Sequence, residues 1–409
     1  MSGLDTLPLT RRMLLGGMGC ACCAGVAGTA GARIRPADMV PLVGPGHRPE
    51  DKDEQGLWQQ YERVEEEIAG SNLLLRDDKL ARYLGGIAER VGGPAAKDLR
   101  VYVAHIPEFN AFVAPTGFMV VFSGLLLRAR DEAQLSGVVA HEAGHFLRRH
   151  QIRMWRDMKR KTAAMNILGM AAGLGYGATG VYAGDLVRLV QMGAILSLFS
   201  YSRSLEAEAD AMGLRQIAEA GYDPAAMPET WQQLIGEIEA SAAMRRKRPK
   251  RGYSLLATHP APEQRMVDLR ASAQEVASAR AAERGRDRYL AAIAPHRRTV
   301  LDDQVKLNDP GASLYIVRNL AKDGWNGLLR YYEGEIWRLR GEKGDTALAA
   351  QSYAAAIAYP DAPPEAWRAH GYQMLRGGRA EEGRAALNRY LNLAPNAPDA
   401  LMVRAELTR

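Results

Sequence analysis

Cysteine is nearly absent from this 409-residue sequence, which contains only Cys20, Cys22 and Cys23, all close to the N-terminus. If that N-terminal segment is removed, the remaining chain carries no thiol. It then has no disulfide, no cysteine ligand for a metal and no cysteine nucleophile. Any catalytic chemistry of the mature chain must therefore come from other residue types.

An excess of charge of one sign is also lacking, since 53 Lys and Arg residues stand against 47 Asp and Glu residues and leave a net charge of +6. This small surplus argues against a protein that coats nucleic acid, and we expect no nucleic-acid partner. Hydrophobic residues make up 47% of the chain and charged residues 24%, which excludes wholesale disorder. Because one core rarely serves more than about 250–300 residues, two domains are expected.

Residues 1–32 have the layout of a secretory signal, with the pair Arg11-Arg12 ahead of an uncharged run from Met13 to Ala32. The paired arginines and the modest hydrophobicity resemble a twin-arginine signal, which predicts export to the periplasm. Two alternatives stay open. The segment could remain as an uncleaved N-terminal anchor, or a lipid could be attached at Cys20 or Cys22.

The chain shows no set of strongly hydrophobic helices. Thr162–Gly184 lacks charge over 23 residues, but six of these are glycine, so we expect a buried or membrane-touching segment before an apolar helix over 186–199. A true membrane span is the alternative. Arg245–Arg251 carries six positive charges in seven residues, which predicts a solvated loop or, alternatively, a peripheral contact with anionic lipid.

Local patterns predict a mainly α fold with a small β-sheet. Residues 33–56 are rich in proline and read as an irregular N-terminal segment, and helical periodicity begins near Leu57. Residues 99–104 and 111–122 predict strands, the second divided into a hairpin by a proline–glycine turn. A helix should run from an N-cap at Asp131 to about His150, and another over 201–220.

The C-terminal part of the sequence is repetitive, because residues 353–360 are echoed by residues 387–395. A spacing of this kind resembles the 34-residue tetratricopeptide repeat. We expect a helical linker over 273–325 and tetratricopeptide-like repeats over 326–409. Small residues would let the paired helices approach, namely Gly334, Gly371 and Ala386. The repeats predict grooves for a peptide or for an envelope assembly partner.

The chemistry centres on His141-Glu142-Ala143-Gly144-His145, an H-E-x-x-H pattern on the predicted helix. His141 and His145 share one helical face and can reach a single ion, and Glu142 can address a water on that ion. Zinc favours nitrogen ligands and keeps an open position for water. Two histidines of an ordinary core or surface are the alternative. Gly144 costs about 1 kcal/mol relative to Ala in a helix, which predicts a close neighbour there.

A third metal ligand is expected downstream, and Glu206 and Asp210 lie four residues apart on one face of the next predicted helix. Glu206 can bind the ion, while Asp210 can accept a hydrogen bond from a ligating histidine. Two solvated acids are the alternative. Glu208 points about 160° away from this face and is interpreted as a surface acid.

Together these motifs resemble the HtpX/BepA-like zinc metallopeptidases, gluzincins whose third ligand is a glutamate. Asn110-Ala111-Phe112 is similar to the active-site edge strand of that family, and Thr258–Arg265 to its T-H-P-x-P-x-x-R element. The resemblance covers most of residues 55–409 and is strongest over 105–270. It implies an α+β metallopeptidase domain at 57–272, ahead of the α-helical repeats.

The resemblance also implies roles for individual residues. His141, His145 and Glu206 would hold one Zn²⁺ per chain, and Asp210 would accept a hydrogen bond from a ligating histidine. Glu142 would be the catalytic base that later protonates the leaving amine. Zinc is favoured over manganese or iron by ligand type and by the resemblance. Asn110, Ala111 and Phe112 would bind an extended substrate along the sheet edge, which favours unfolded chains.

Two further residues carry open alternatives. By the same resemblance, His259 would be a fourth ligand that holds the enzyme latent, but it could instead stabilise the oxyanion or cap a loop beside Pro260. Arg265 is expected to orient the glutamates or the oxyanion, with an ordinary structural salt bridge as the alternative.

The sequence therefore predicts an exported zinc endopeptidase that acts on unfolded or misassembled envelope proteins, in quality control and outer-membrane protein assembly. A chaperone-like adaptor that binds clients without cutting them is the second hypothesis, and a membrane-integrated prenyl-protein protease is the third. The intact Glu142 favours the first, because a protein that only binds has no need of a base between two metal ligands.

Overall fold

The computed structural model describes residues 42–161, 201–246, 259, 262–276 and 282–408. The predicted signal, the uncharged stretch 162–184, the helix 186–199 and residues 247–251 of the basic run lie outside the described residues. Arg245 and Arg246 of that run are described, and both are exposed. Across the described ranges, we find no helix with the length and apolar character that crossing a membrane requires.

Two helices open the described chain, α1 over Lys52–Gly70 and α2 over Asp78–Val91. Helix α1 begins before the predicted start at Leu57, because Asp51 caps it and its carboxylate accepts a hydrogen bond from the backbone N–H of Glu54 at 2.9 Å. The prediction that residues up to 56 are irregular was therefore wrong for its last part.

A small sheet follows, built from β1 (Arg100–Ala104), β2 (Ala111–Val113) and β3 (Phe118–Phe122). Strand β3 lies in the centre, parallel to β1 and antiparallel to β2, with Ala111 opposite Val121. The turn between β2 and β3 uses Gly117 at φ +85°, a left-handed conformation that favours glycine. The predicted small sheet and its hairpin are confirmed, and β2 is an edge strand among the described residues.

Helices cover the sheet and continue the domain. In chain order they are α3 (Ser123–Arg128), α4 (Glu132–Leu147), α5 (His150–Lys161), α6 (Arg203–Glu219), α7 (Ala226–Met244) and α8 (Pro262–Val276). Helix α4 starts as predicted, since Asp131 accepts a hydrogen bond from the backbone N–H of Gln134 at 2.9 Å. It ends at Leu147, so the predicted continuation to His150 was wrong by about one turn. Nearly every side chain of α4 is buried, which makes it the central helix of the domain.

Helices α4 and α6 pack backbone against backbone. A Cβ atom on Gly144 would lie 3.2 Å from the Cα atom of Ala209, and a Cβ atom on Gly213 would lie 2.9 Å from the backbone nitrogen of His141. The close neighbour expected at Gly144 is therefore Ala209. This contact sets the distance between the helix that carries the two histidines and the helix that carries Glu206.

We expect Gly213→Ala to lower the free energy of unfolding by about 1–3 kcal/mol, because the added methyl group forces two packed backbones apart. Gly86→Ala is the matched control: Gly86 lies on the exposed side of α2 with no atom near its Cβ position. That change should stabilise the protein by roughly 0.5–1 kcal/mol. Urea unfolding measures both changes. Equal stability of Gly213→Ala and wild type would contradict the tight contact.

The C-terminal part of the described chain is built from α-helices. These are α9 (Arg286–Lys306), α10 (Pro310–Leu320), α11 (Gly327–Arg340), α12 (Asp345–Ile357), α13 (Pro364–Arg376), α14 (Ala380–Leu393) and α15 (Ala400–Leu407). Gly334 contacts the ring of Tyr353, and a Cβ atom on Gly371 would lie 2.8 Å from Cγ of Leu387, so the expected close approach of paired helices at these glycines is confirmed. Ala386 is buried as well. The assignment of these pairs to tetratricopeptide repeats stays a prediction.

Helix α9 joins the two parts of the fold. Tyr289 and Ile293 pack into the core around α2 and α4, while Val300 and Leu301 pack with the helices that follow. This helix therefore packs against the repetitive region of the chain.

Candidate metal centre

Four buried side chains converge beside the central helix. His141 and His145 come from α4, Glu206 comes from α6, and His259 lies just before α8. Each offers one ligand atom, and these atoms all lie within 4.8 Å of one another. None of the four side chains is more than 5% exposed. The fold thus brings together the H-E-x-x-H histidines, the predicted third ligand and the histidine whose role was left open.

The two α4 imidazoles present the same nitrogen to the centre of this group, with Nε2 of His141 3.0 Å from Nε2 of His145. Nδ1 of His259 lies 2.9 Å from Oε1 of Glu206 and 3.4 Å from Nε2 of His141. The group therefore encloses one point from several sides.

Asp210 lies on the far side of His141, with its Oδ1 2.9 Å from Nδ1 of that ring. The guanidinium of Arg265 donates two hydrogen bonds to the same carboxylate, from Nε at 2.8 Å and from Nη2 at 2.6 Å. Burial alone would raise the pKa of Asp210, but the charge of Arg265 outweighs it and holds that pKa well below its usual range. The ionised Asp210 favours a proton on Nδ1 of His141 and leaves Nε2 as a lone pair that faces the centre.

Arg265 also reaches Glu206, with Nη1 2.5 Å from Oε2, and its guanidinium lies 4.2 Å from the ring centroid of Trp231. It therefore stands between the two carboxylates, Glu206 and Asp210, and can orient both. These contacts fit both the orientation of a ligand carboxylate and an ordinary salt bridge, and the role of Arg265 at the oxyanion stays a prediction.

The donor set fits a divalent metal ion. The ligand atoms of His141, His145, Glu206 and His259 lie within 4.8 Å of one another in an almost completely buried site. The carboxylate of Asp210 at Nδ1 of His141 directs the Nε2 lone pair of that ring toward the group, as metal coordination requires. Two imidazoles and one carboxylate are a ligand set typical of catalytic zinc. His141, His145 and Glu206 are therefore the residues that would hold the ion.

Comparison with known families supports the same reading, since residues 74–273 match the family described as Peptidase family M48. These residues form an M48 peptidase domain. The match includes all four residues of the buried group together with Glu142, Asp210 and Arg265.

Several curated proteins are similar to the M48 domain. The beta-barrel assembly-enhancing protease of Escherichia coli (strain K12) is 28% identical over 214 residues, which are 51% of this chain and 42% of that protein. The mitochondrial metalloendopeptidase OMA1 of Arabidopsis thaliana is 31% identical over 170 residues, 40% of this chain and 30% of that protein. The mitochondrial OMA1 metalloendopeptidase of Bos taurus is 33% identical over 177 residues, 41% and 31% respectively. The chain spans less than half the length of these curated relatives.

Glu142 of the M48 domain lies beside the ligand group, and its Oε1 is 3.5 Å from Nε2 of His259. The carboxylate is only 2% exposed, and burial raises its pKa. A small cavity opens next to it, lined by His141, His259 and Trp231 among other residues. The base predicted from the sequence is therefore close to the centre.

Strand β2 forms an edge of the sheet among the described residues, and the residues predicted for this edge contribute to it unequally. Backbone hydrogen bonds join Asn110 to Phe122 and Ala114 to Phe118, so the even-numbered residues of β2 bond to β3. In an antiparallel pair the alternate residues face outward, and here these are Ala111 and Val113. The main chain of Phe112 points inward, so the edge is formed by Ala111 and Val113.

Two side chains already occupy part of that edge. The backbone N–H of Ala111 donates to Oδ1 of Asn110 at 2.9 Å, and the carbonyl of Val113 accepts from Nε2 of Gln151 at 2.8 Å. For the carbonyl of Ala111 and the N–H of Val113, we find no partner among the described residues. Ala111 and Val113 are both buried, so an extended peptide could pair with these two groups once the edge becomes accessible.

Tyr201 and Gln151, which the sequence analysis missed, connect this edge to the ligand group. The Tyr201 ring stacks on the imidazole of His145, with centroids 3.8 Å apart and planes 19° from parallel. The Tyr201 hydroxyl accepts a hydrogen bond from Nε2 of Gln151 at 2.8 Å. A tyrosine some 55 residues after the histidine motif gave no local signal of this contact.

The interpretation of Glu208 as a surface acid was wrong. Its side chain is only 6% exposed, and its carboxylate lies 2.9 Å from Nη1 of Arg153 and 3.3 Å from Nε of Arg148. Helical geometry gave the direction of Glu208 correctly, but α5 covers that side of α6 as well. The basic residues that follow the histidine motif could have indicated a buried acidic partner.

We expect Arg265→Met to lower the free energy of unfolding of the metal-free protein by about 3–5 kcal/mol, because it leaves the buried carboxylates of Glu206 and Asp210 without their cation. Arg270→Met is the matched control on the same helix, since Arg270 is exposed and should change stability by less than about 0.5 kcal/mol. Urea unfolding in the presence of a chelator measures both. A similar small effect for the two variants would show that Arg265 does not hold the site together.

Proposed function

We propose that this chain is a zinc-dependent endopeptidase that hydrolyses peptide bonds of unfolded or misassembled proteins. The observation that carries the proposal is the convergence of His141, His145 and Glu206 in a buried group with the Glu142 carboxylate beside it. A metal site with a purely structural role has no use for a buried base at that position. The M48 domain and the metalloendopeptidase relatives support the same reaction class.

The chain's own residues have distinct tasks in this reaction. Zn²⁺ bound by His141, His145 and Glu206 would supply a Lewis acid that polarises the substrate carbonyl and acidifies water. Glu142 takes the proton from the attacking water and passes it to the leaving amine. Burial suits Glu142 for this exchange, because a raised pKa brings the carboxyl group nearer to neutral pH. Arg265 keeps Glu206 and Asp210 in place during the reaction.

The proposed substrate is an extended chain that pairs with the carbonyl of Ala111 and the N–H of Val113. Such pairing uses main-chain groups and is tolerant of side chains. A compact folded protein cannot offer a free extended segment, so unfolded or misassembled chains are preferred. This preference is independent of the sequence around the cleaved bond.

His259 is proposed to hold the enzyme in a latent form. Its Nδ1 lies against Glu206 and its Nε2 faces Glu142, so one ring stands between the ligand group and the base. Water and substrate would need this position during catalysis. His259 must therefore move away before the reaction in this proposal. The two alternatives are that it stabilises the oxyanion or that it caps its loop.

The setting we propose is the periplasm, with a role in envelope protein quality control and outer-membrane protein assembly. The support consists of the signal-like residues 1–32 and of relatives named beta-barrel assembly-enhancing protease. The helical pairs over 327–393 would dock an assembly partner, and the exposed Arg245 and Arg246 would give a peripheral contact with anionic lipid.

A chaperone-like adaptor is the second candidate, and the position of His259 favours it. With that ring in place, the edge of β2 could bind a client while Glu142 remains screened from it. The two candidates differ in whether the bound chain is ever cut.

The test is to purify the chain from Arg33 onward, to measure its zinc content by mass spectrometry, and to follow the digestion of unfolded casein. We expect one zinc per chain and cleavage that stops when a chelator removes the metal and resumes when zinc is added back. Cleavage that continues at the same rate in the presence of the chelator would contradict the proposal. Binding of casein without cleavage, even after the His259→Ala change, would favour the adaptor.

A further inference from the structure

A second chain of buried contacts runs outward from His145, on the side away from the ligand group. Nδ1 of His145 lies 2.7 Å from Nδ1 of His150, and Nε2 of His150 lies 3.4 Å from Oε2 of Glu208. His145 and His150 are both fully buried. Neither His150 nor Glu208 takes part in the mechanism described above.

The contact between the two histidines depends on a break in the helix. Residues five positions apart on a continuous α-helix point about 140° away from each other and do not meet. Here α4 ends at Leu147, and Arg149 takes a left-handed conformation with φ of 53°, after which α5 begins at His150. A non-glycine residue in that region costs of order 1–3 kcal/mol. The fold accepts this strain and thereby turns His150 back onto His145.

The direction of the hydrogen bond follows from burial and charge. Both rings are fully buried and their Nδ1 atoms lie 2.7 Å apart, so one Nδ1–H donates a hydrogen bond to the other Nδ1. The acidic Glu208 favours a proton on Nε2 of His150, so Nδ1 of His150 is free to accept from Nδ1–H of His145. Nε2 of His145 is then the lone pair that faces the ligand group.

The arrangement parallels the one behind His141. There a carboxylate, Asp210, meets the ring directly and is held by Arg265. Behind His145 the carboxylate is Glu208, held by Arg148 and Arg153, and His150 bridges the gap. Each α4 imidazole is thus linked to a carboxylate that is paired with arginine, directly for His141 and through His150 for His145.

We propose that His150 and Glu208 are positioning residues for His145 and that they set the affinity of the site for zinc. They do so by fixing the tautomer and the ring orientation of His145. The inference rests on the proposed function only in requiring that zinc binds at His145. It is independent of whether the protein cuts peptides.

Zinc affinity, measured by competition with a chelator of known affinity, tests the proposal in the full chain from Arg33 onward. We expect His150→Phe, which keeps a ring but removes the acceptor, to weaken zinc binding roughly 10–100-fold. His150→Asn retains an acceptor near the position of Nδ1 and should restore part of that loss. Glu208→Gln should weaken binding by a smaller factor, because His150 keeps its acceptor and loses only its charged partner.

Glu237→Gln is the control for loss of a buried ion pair. Glu237 is 2% exposed and pairs with Arg128 through two hydrogen bonds of 2.7 and 2.8 Å, and it contacts none of the four ligand residues. It should lower the thermal stability of the metal-free protein and leave zinc affinity unchanged. Circular dichroism of each variant verifies that it is folded, and Glu208→Gln and His150→Asn carry the test if His150→Phe does not fold.

The outcomes separate cleanly. Equal zinc affinity in wild type and in the His150 and Glu208 variants would overturn the inference and leave the proposed function standing. Equal weakening by Glu237→Gln would also overturn it, since the effect would then be general destabilisation. If wild type itself binds no zinc, both the inference and the proposed function fail.

Discussion

Replacing Glu142 by Gln is expected to slow peptide hydrolysis by about 10²–10⁴-fold, the usual contribution of a positioned acid–base group. The change keeps the size of the side chain but removes its ability to accept the proton of water. Glu142 is not among the four residues whose ligand atoms converge, so the variant should bind zinc as wild type does. Loss of activity with the metal retained is the signature that assigns the base.

Digestion of unfolded casein, with zinc content measured on the same sample, tests this expectation. Glu237→Gln is again the matched control, because it replaces an equally buried carboxylate on α7 and should retain activity. Cleavage by Glu142→Gln at the wild-type rate would mean that a contaminating protease is present or that the base lies elsewhere. Loss of zinc together with activity would show that Glu142 supports the metal rather than the proton transfer.

Replacing His259 by Ala is expected to raise the rate of casein cleavage at least tenfold. If His259 holds the site closed, only a minor open population is active, and minor states of this kind commonly amount to about 0.1–10% of the molecules. Removing the ring makes the open form dominant, so nearly all molecules become active. The position of the ring between Glu206 and Glu142 is the reason for the direction of the change.

The double variant Glu142→Gln, His259→Ala tests whether the added activity comes from this site, since it should cleave about 10²–10⁴-fold more slowly than His259→Ala. A fall in activity of His259→Ala would instead favour a role of His259 at the oxyanion. An unchanged rate would indicate that His259 only caps its loop. Each of the three roles left open by the sequence therefore has its own result.

The features that the sequence predicted well are those with local causes. The N-cap at Asp131 follows from side-chain chemistry next to the backbone, and the shared face of His141 and His145 follows from helical geometry. The glycine at position 144 correctly indicated a close helix contact, although it could not say that the neighbour was Ala209.

The features that the sequence did not reveal depend on how separate elements pack. No residue close to Glu208 in the sequence shows that α5 will cover it, and the covering contacts come from His150 and Arg153 of that helix. The break at Arg149 creates the contact between His145 and His150, which regular helical spacing excludes. The link from Tyr201 through Gln151 to Val113 joins three elements distant in sequence.

The partly filled edge of β2 has a consequence for self-association. An exposed strand edge is a template onto which a second copy of the same protein, or an aggregating chain, can add. Of the four outward main-chain groups of Ala111 and Val113, one is bonded to Asn110 and one to Gln151. The other two, for which we find no partner in the described ranges, belong to buried residues; they can hold a short stretch of one chain but offer no continuous ladder for a growing sheet. A protein whose proposed clients are aggregation-prone chains thus keeps its own docking strand too short to be recruited into their aggregates.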